Sequence, residues 1–147
     1  MQKVHIYVES DTTAPRQMPR MIGRIMICES FPDPKDWRHR YIGNFGTYHA
    51  VILRGMAEAI DQLTRPCEIY VHSQNNWILN QIDQNLPVWG KNGFRSKTGK
   101  EIKNIFEWRW LWKSLETYNH TIVTVQGPHE HQQEILEMME RVKVRGN

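Results

Sequence analysis

The sequence predicts a mixed α/β domain built on one mixed five-stranded sheet flanked by helices. Two observations predict it: three β-runs follow one another at the start of the chain, and strands then alternate with helical runs to its end. That order describes a sheet with helices packed on its faces. The first run, Val4 to Glu9 (VHIYVE), alternates and is rich in β-formers. Arg20 to Cys28 (RMIGRIMIC) follows a turn bearing Pro and Thr, and the two runs read as paired strands. A loop with Pro32, Pro34 and Lys35 to Arg40 leads to a third strand around His39 to Phe45. Gly46 and Thr47 precede a helix, YHAVILRGMAEAIDQL, in which Val51, Ile52, Met56, Ala59, Ile60 and Leu63 recur at helical spacing and Pro66 stops the run. Cys67 to Ser73 (CEIYVHS) reads as a short buried strand and NNWILNQI as a helix. IFEWRWLWKSLETY is an amphipathic helix, HTIVTVQG a final strand and HQQEILEMMERVK a final helix.

With 147 residues, 39% of them hydrophobic and six of them tryptophan, the chain is long enough for one domain with a proper core, expected over residues 1–147. A net charge of +3 permits an anionic partner without demanding one, so local clustering matters more than the total. The two cysteines, Cys28 and Cys67, have neither zinc-site spacing nor the density of a disulfide scaffold, which suits thiols in a reducing cytosol. No segment approaches the ~20 apolar residues of a membrane span, and the N-terminus opens directly into a strand pattern. The expectation is a cytoplasmic protein with no membrane partner.

The charge is clustered in WGKNGFRSKTGKEIKNIFEW, Trp89 to Trp108. Lys91, Arg95, Lys97, Lys100 and Lys103 stand there with Glu101 as the single acid among them, interleaved with Trp89 and Phe94. Cations neutralise phosphates and flat rings lie against sugars or bases, so this pattern suits a nucleic-acid grip. The alternative is a solvated basic helix and loop whose tryptophans pack inward.

Four pieces of the chain, with this basic stretch, resemble the ribonuclease H family of type 1 over nearly its whole length. VHIYVES stands where that family has a first strand ending in aspartate, and GTYHAVILRGMAEAI where it has a Thr-Asn-Asn stretch opening the first long helix. EIYVHSQNNWI stands where it has a strand ending in Asp-Ser followed by Gln, and VTVQGPHEH resembles the Val-Lys-Gly-His loop before the last helix. WGKNGFRSKTGKEIKN resembles the family's basic protrusion, or handle. The resemblance implies the corresponding fold and partner: an RNA–DNA hybrid, whose RNA strand the family cleaves with two magnesium ions held by four carboxylates. Magnesium is a hard cation that wants oxygen ligands near octahedral geometry, and two such ions need a negative cage.

This sequence departs from that cage. Glu9 stands at the first acidic position, a methylene longer; Ile52 stands at the helix glutamate; His72 replaces the aspartate before Ser73; Glu137 and Met138 lie near the fourth position. Pro128 takes the place of the loop histidine, with His129 and His131 beside it. Asp11 and Glu58 are weighed as substitutes and rejected, Glu58 because six residues turn it roughly 240° away from Ile52. The expected domain is therefore one that binds hybrid or duplex nucleic acid with Glu9 and His72 as vestiges of catalysis, needing no cofactor. The alternatives are a nuclease with an altered metal preference, magnesium or manganese, held by Glu9, His72 and Glu137, and a metal site of Glu9, His72, His129, His131 and Glu134. Neutral imidazole suits zinc, manganese or nickel better than magnesium. On the binding side, Thr47 matches the family's phosphate-pocket threonine, Gln74 its minor-groove glutamine, and Trp89, Lys91, Phe94, Arg95 and Lys97 belong to the handle. Tyr48 and His49 replace two asparagines that read 2′-hydroxyls, and Gly90 and Asn92 replace handle cations. A reading from another class is a protein-interaction module that uses the helix of Trp108, Trp110 and Trp112, which alternate by two and so spread over different sides.

Overall fold

The computed structural model describes residues 1–29 and 36–145. The loop expected around Pro32 and Pro34 lies outside them. Three antiparallel strands, β1 (Gln2–Ser10), β2 (Met18–Cys28) and β3 (Asp36–Gly46), lead into helix α1 (Tyr48–Ile60). Then follow β4 (Cys67–His72), α2 (Asn76–Gln84), α3 (Leu86–Asn92), α4 (Ile105–Thr117), β5 (Thr121–Val125) and α5 (Gln132–Arg145). The strands form one mixed sheet in the order β3-β2-β1-β4-β5, with β4 parallel to both β1 and β5.

Alternation along β1 divides the molecule into layers, because successive side chains of a strand point to opposite faces. Val4, Ile6 and Val8 pack with Ile22, Met26, Ile69, Val71 and the α1 residues into the main core, which α4 closes with Trp108 and Leu111. Tyr7 faces the other way and joins Ile25 with Ile135 and Met139 of α5. The same face carries Glu9, so β1 delivers its acid to the side that α5 covers.

Helix α1 is apolar nearly all round, with nine buried residues, because it lies between the sheet and α4. Thr47 caps it, its Oγ1 accepting from the Ala50 N–H at 3.3 Å. Ile52 is wholly buried in the main core. The one helix the sequence did not resolve is α3, whose seven residues fall short of a readable apolar period. Its glycine explains a departure from the handle pattern: a Cβ at Gly90 would come within 2.1 Å of Trp112 Cε2, so no cation fits where α3 crosses α4. Asn92 has a parallel explanation. Its side chain accepts from the Arg95 N–H and donates to the Arg95 carbonyl, both at 3.0 Å, and so ties the handle's first turn.

Candidate nucleic-acid interface

β1 and β4 run parallel with Tyr7 in register with His72, so the ends of both strands meet beneath the start of α5. Glu9 is fully buried there, and its carboxylate is occupied by the protein. The Gln74 N–H donates to both oxygens at 3.2 Å, and Ser73 Oγ donates to Oε1 at 3.3 Å. His129 adds a third partner at 2.8 Å through Nε2. The His131 N–H points at His129 Nδ1 from 3.2 Å, which makes Nδ1 the acceptor and Nε2–H the donor toward Glu9. The longer glutamate arm thus lets the carboxylate reach the loop after β4.

A histidine cluster surrounds Tyr7. His72 stacks on its ring at 4.3 Å, His131 meets it edge-on at 4.6 Å, and His129 lies 5.0 Å away. His72 Nε2 is 2.9 Å from His5 Nδ1, and His5 Nε2 in turn bonds Glu29. Since Glu29 takes the Nε2 proton of His5, the His72 Nε2–H is the donor to Nδ1. His5, Tyr7 and Glu29 are members of the site that the sequence alone does not single out. Their signal was the period-two spacing of His5, Tyr7 and Glu9 on one face of β1 opposite His72, a pairing that needs the strand register.

Burial, reinforced by the neighbouring His5, His129 and His131, pushes the His72 pKa from its ordinary 6.5 down to about 4. Between those values the unfolded chain takes up a proton that the native one refuses. This contribution to stability is therefore complete above about pH 6.5 and is lost as pH falls toward about 4. The melting temperature, followed by circular dichroism across that window, is expected to fall with acid, and to fall less in His72→Gln.

The structure brings Glu9, His72, His129 and His131 together around Tyr7 and leaves Glu137 apart. Glu137 is half exposed on α5, accepts from Gln133 Nε2 at 3.1 Å and lies 3.9 Å from Arg141. Glu134 accepts from His131 Nδ1 at 3.2 Å. Asp11 is held by the Met21 N–H and by Lys143, and Glu58 pairs with Arg40 and Arg24. Among the described residues no group of three or more His, Cys, Asp or Glu is arranged to hold a metal ion.

Gln74 is tied to α5, its Oε1 accepting from Gln132 Nε2 at 3.2 Å. In the handle, Trp89 is half buried and packs edge-on against Trp108 at 5.4 Å, and Phe94 packs on the core with Arg109 over its ring at 5.8 Å. These rings hold the handle to the body, while Lys91, Arg95, Lys97, Lys100 and Lys103 stay exposed. A recess of about 280 Å³ opens beneath, lined in part by Asn85, Trp89, Asn92, Arg95 and Lys97. On α4, Trp108 is core, Trp112 lies against Gly90, and Trp110 is exposed with its indole N–H on Asp61 at 2.7 Å. No helix among the described residues is long and apolar enough to cross a membrane.

No protein-family model matches the chain. It is 33% identical over 87 residues to a ribonuclease H of Actinobacillus succinogenes, a match that covers 59% of this chain and 56% of the relative. The chain spans about half the length of the first curated relatives it matches. Among solved structures, LC9-RNase H1, described as a type 1 RNase H with the type 2 active-site motif, superposes with a TM-score of 0.74 at 14% identity, covering all of this chain and 74% of that one. A foamy viral protease-reverse transcriptase in complex with RNA/DNA hybrid superposes with a TM-score of 0.69 at 16% identity, over 99% of this chain and 20% of that one. In sequence this chain is a relative of the ribonucleases H, and it is built on their fold.

Proposed function

We propose that the chain, acting as one domain over residues 1–147, grips RNA–DNA hybrid or duplex nucleic acid through its handle and the adjoining groove, and that two-metal hydrolysis is not its chemistry. The observation that carries this reading is the fate of Glu9. A magnesium ligand must offer a lone pair to the ion, and this carboxylate is buried with the Gln74 N–H, the Ser73 hydroxyl and His129 already on its oxygens. The remaining donor set does not fit magnesium either: Ile52 is apolar and in the core, His72 Nε2 is engaged with His5, and Glu137 bonds along α5.

The binding half is supported by the exposed handle cations around the recess of Trp89, Arg95 and Lys97. Phosphate neutralisation needs only placed charge, whereas reading a 2′-hydroxyl needs placed donors and acceptors, and at His49 the Nδ1 atom is already engaged by Asn75. A labelled hybrid is expected to bind with a Kd of roughly 10⁻⁶ to 10⁻⁴ M at physiological salt, the range of sequence-independent contacts, and to stay intact in Mg²⁺, Mn²⁺ and Zn²⁺. Magnesium-dependent cleavage that disappears in Glu9→Gln would refute the loss of hydrolysis; cleavage in manganese alone would favour the altered-metal reading. Failure to shift the hybrid at all would refute the binding half.

A further inference from the structure

On the flank of the Glu9 cluster, three aromatic rings form a ladder where the N-termini of α1 and α2 meet. His49 stacks on Trp77 at 4.4 Å with 22° between the planes, and Tyr48 stacks on His49 at 5.6 Å with 28°. The ladder is fixed from below. Asn75 caps α2 by accepting the Ile78 N–H on Oδ1 at 3.1 Å, which turns its amide nitrogen toward His49 Nδ1 at 3.0 Å. His49 is half buried, and that burial lowers its pKa, so at neutral pH its ring is an uncharged aromatic. Trp77 at the top is 45% exposed, which is unusual for an indole that could have packed inward.

The direction in which Trp77 looks follows from the helix. Asn76 and Asn80, four residues apart, bond the loop after β5, through Gly127 N and Gln126. Trp77 is turned about 100° from Asn76 and about 60° from Asn80, and so looks to one side of that loop. Its own row down α2 runs through Gln81, whose Oε1 accepts from Asn85, to Asn85, and Asn85 lines the cationic recess of the handle. At 1.5 Å per residue, that row is about 12 Å long. It joins an open ring face to exposed arginine and lysine side chains.

We infer that the Trp77–His49–Tyr48 ladder receives an unpaired nucleobase on the open face of Trp77, with the phosphates that follow it running along Gln81 and Asn85 to Arg95 and Lys97. This rests on the nucleic-acid reading above and sharpens it: the favoured ligand carries single-stranded nucleotides. A flat π face accepts any base, and base–aromatic stacking is indifferent to the 2′-hydroxyl. A base inside an intact duplex is covered on both faces and cannot use it. A peptide partner would find polar amides and cations along the row.

Fluorescence anisotropy at low salt, with labelled single-stranded DNA, single-stranded RNA and a blunt-ended hybrid of equal length, tests the inference in the wild type, Trp77→Ala and Trp77→Phe. Trp77→Ala is expected to raise Kd for both single strands by at least about fivefold. Trp77→Phe, which keeps a ring, should stay near wild type, and the blunt hybrid should be indifferent to both changes. Because Trp77 is exposed, melting temperatures are expected to match, which separates a lost contact from a lost fold. Single-strand binding unaltered by Trp77→Ala, or an equal loss for hybrid and single strands, overturns this inference and leaves the proposed function standing. Absence of binding to all three probes overturns both. A concentration-dependent dimer in light scattering that Trp77→Ala abolishes assigns the ring to a second copy of the chain and also overturns it.

Discussion

Replacing Lys91, Arg95 and Lys97 together with alanine is expected to lower affinity for an RNA–DNA hybrid by an order of magnitude or more at moderate salt, and to flatten the log–log salt dependence by about 2.7. All three side chains are exposed, and Arg95 and Lys97 line the recess beneath the handle. Each neutralised phosphate releases condensed counterions worth about 0.9 in slope, so three lost contacts set the size of the change. The measurement is a titration of labelled hybrid at several salt concentrations. A variant with wild-type slope would mean that the handle does not touch the backbone. The fold should survive, since the rings that dock the handle are Trp89 and Phe94 and they remain.

Trp108→Ala is expected to destabilise the protein by about 3–5 kcal/mol, a large share of the ~5–15 kcal/mol that holds a domain of this kind together. Trp108 is completely buried and meets Trp89 edge-on, so its removal opens a cavity between the main core and the root of the handle. Among the described residues its indole N–H has no hydrogen-bond partner, so Trp108→Phe sacrifices volume and no hydrogen bond and should cost clearly less. Trp110→Ala, two residues along the same helix but 38% exposed, should cost much less than Trp108→Ala, with the Asp61 hydrogen bond as its main loss. Urea denaturation of the three variants orders them. Equal losses for Trp108→Ala and Trp110→Ala would contradict the layering of α4.

The three tryptophans show how far spacing alone reaches. Alternation by two on a helix dictates that they diverge, and they do: one in the core, one against Gly90 and one at the surface. Which is which depends on where α1 and α3 lie, and no local pattern carries that. The same holds for the rings of the handle. Trp89 and Phe94 read as candidates to lie against sugars or bases, but Trp89 packs on Trp108 and Phe94 on the core under Arg109, which leaves the exposed contact to the cations. Trp77, 45% exposed, is among the aromatic residues that stay open, and the sequence marks it only as part of a helix.

Local and periodic features are legible in the residues alone. Alternation in Val4 to Glu9 set a strand with an apolar and a polar face, helical spacing from Val51 to Leu63 set α1, and the order of runs set a mixed sheet. That Ile52 and His72 bring no carboxylate to their helix and strand is equally visible, because residue identity needs no coordinates. Tertiary structure alone decided how Glu9 is used. Its partners Ser73, Gln74 and His129 lie 64, 65 and 120 residues away, and they meet only because β1 and β4 pair in parallel while α5 folds back across them. Short-range periodicity is a property of one segment, whereas hydrogen bonds to a buried carboxylate and stacking around Tyr7 arise from the register between segments, which is fixed only when the whole core closes.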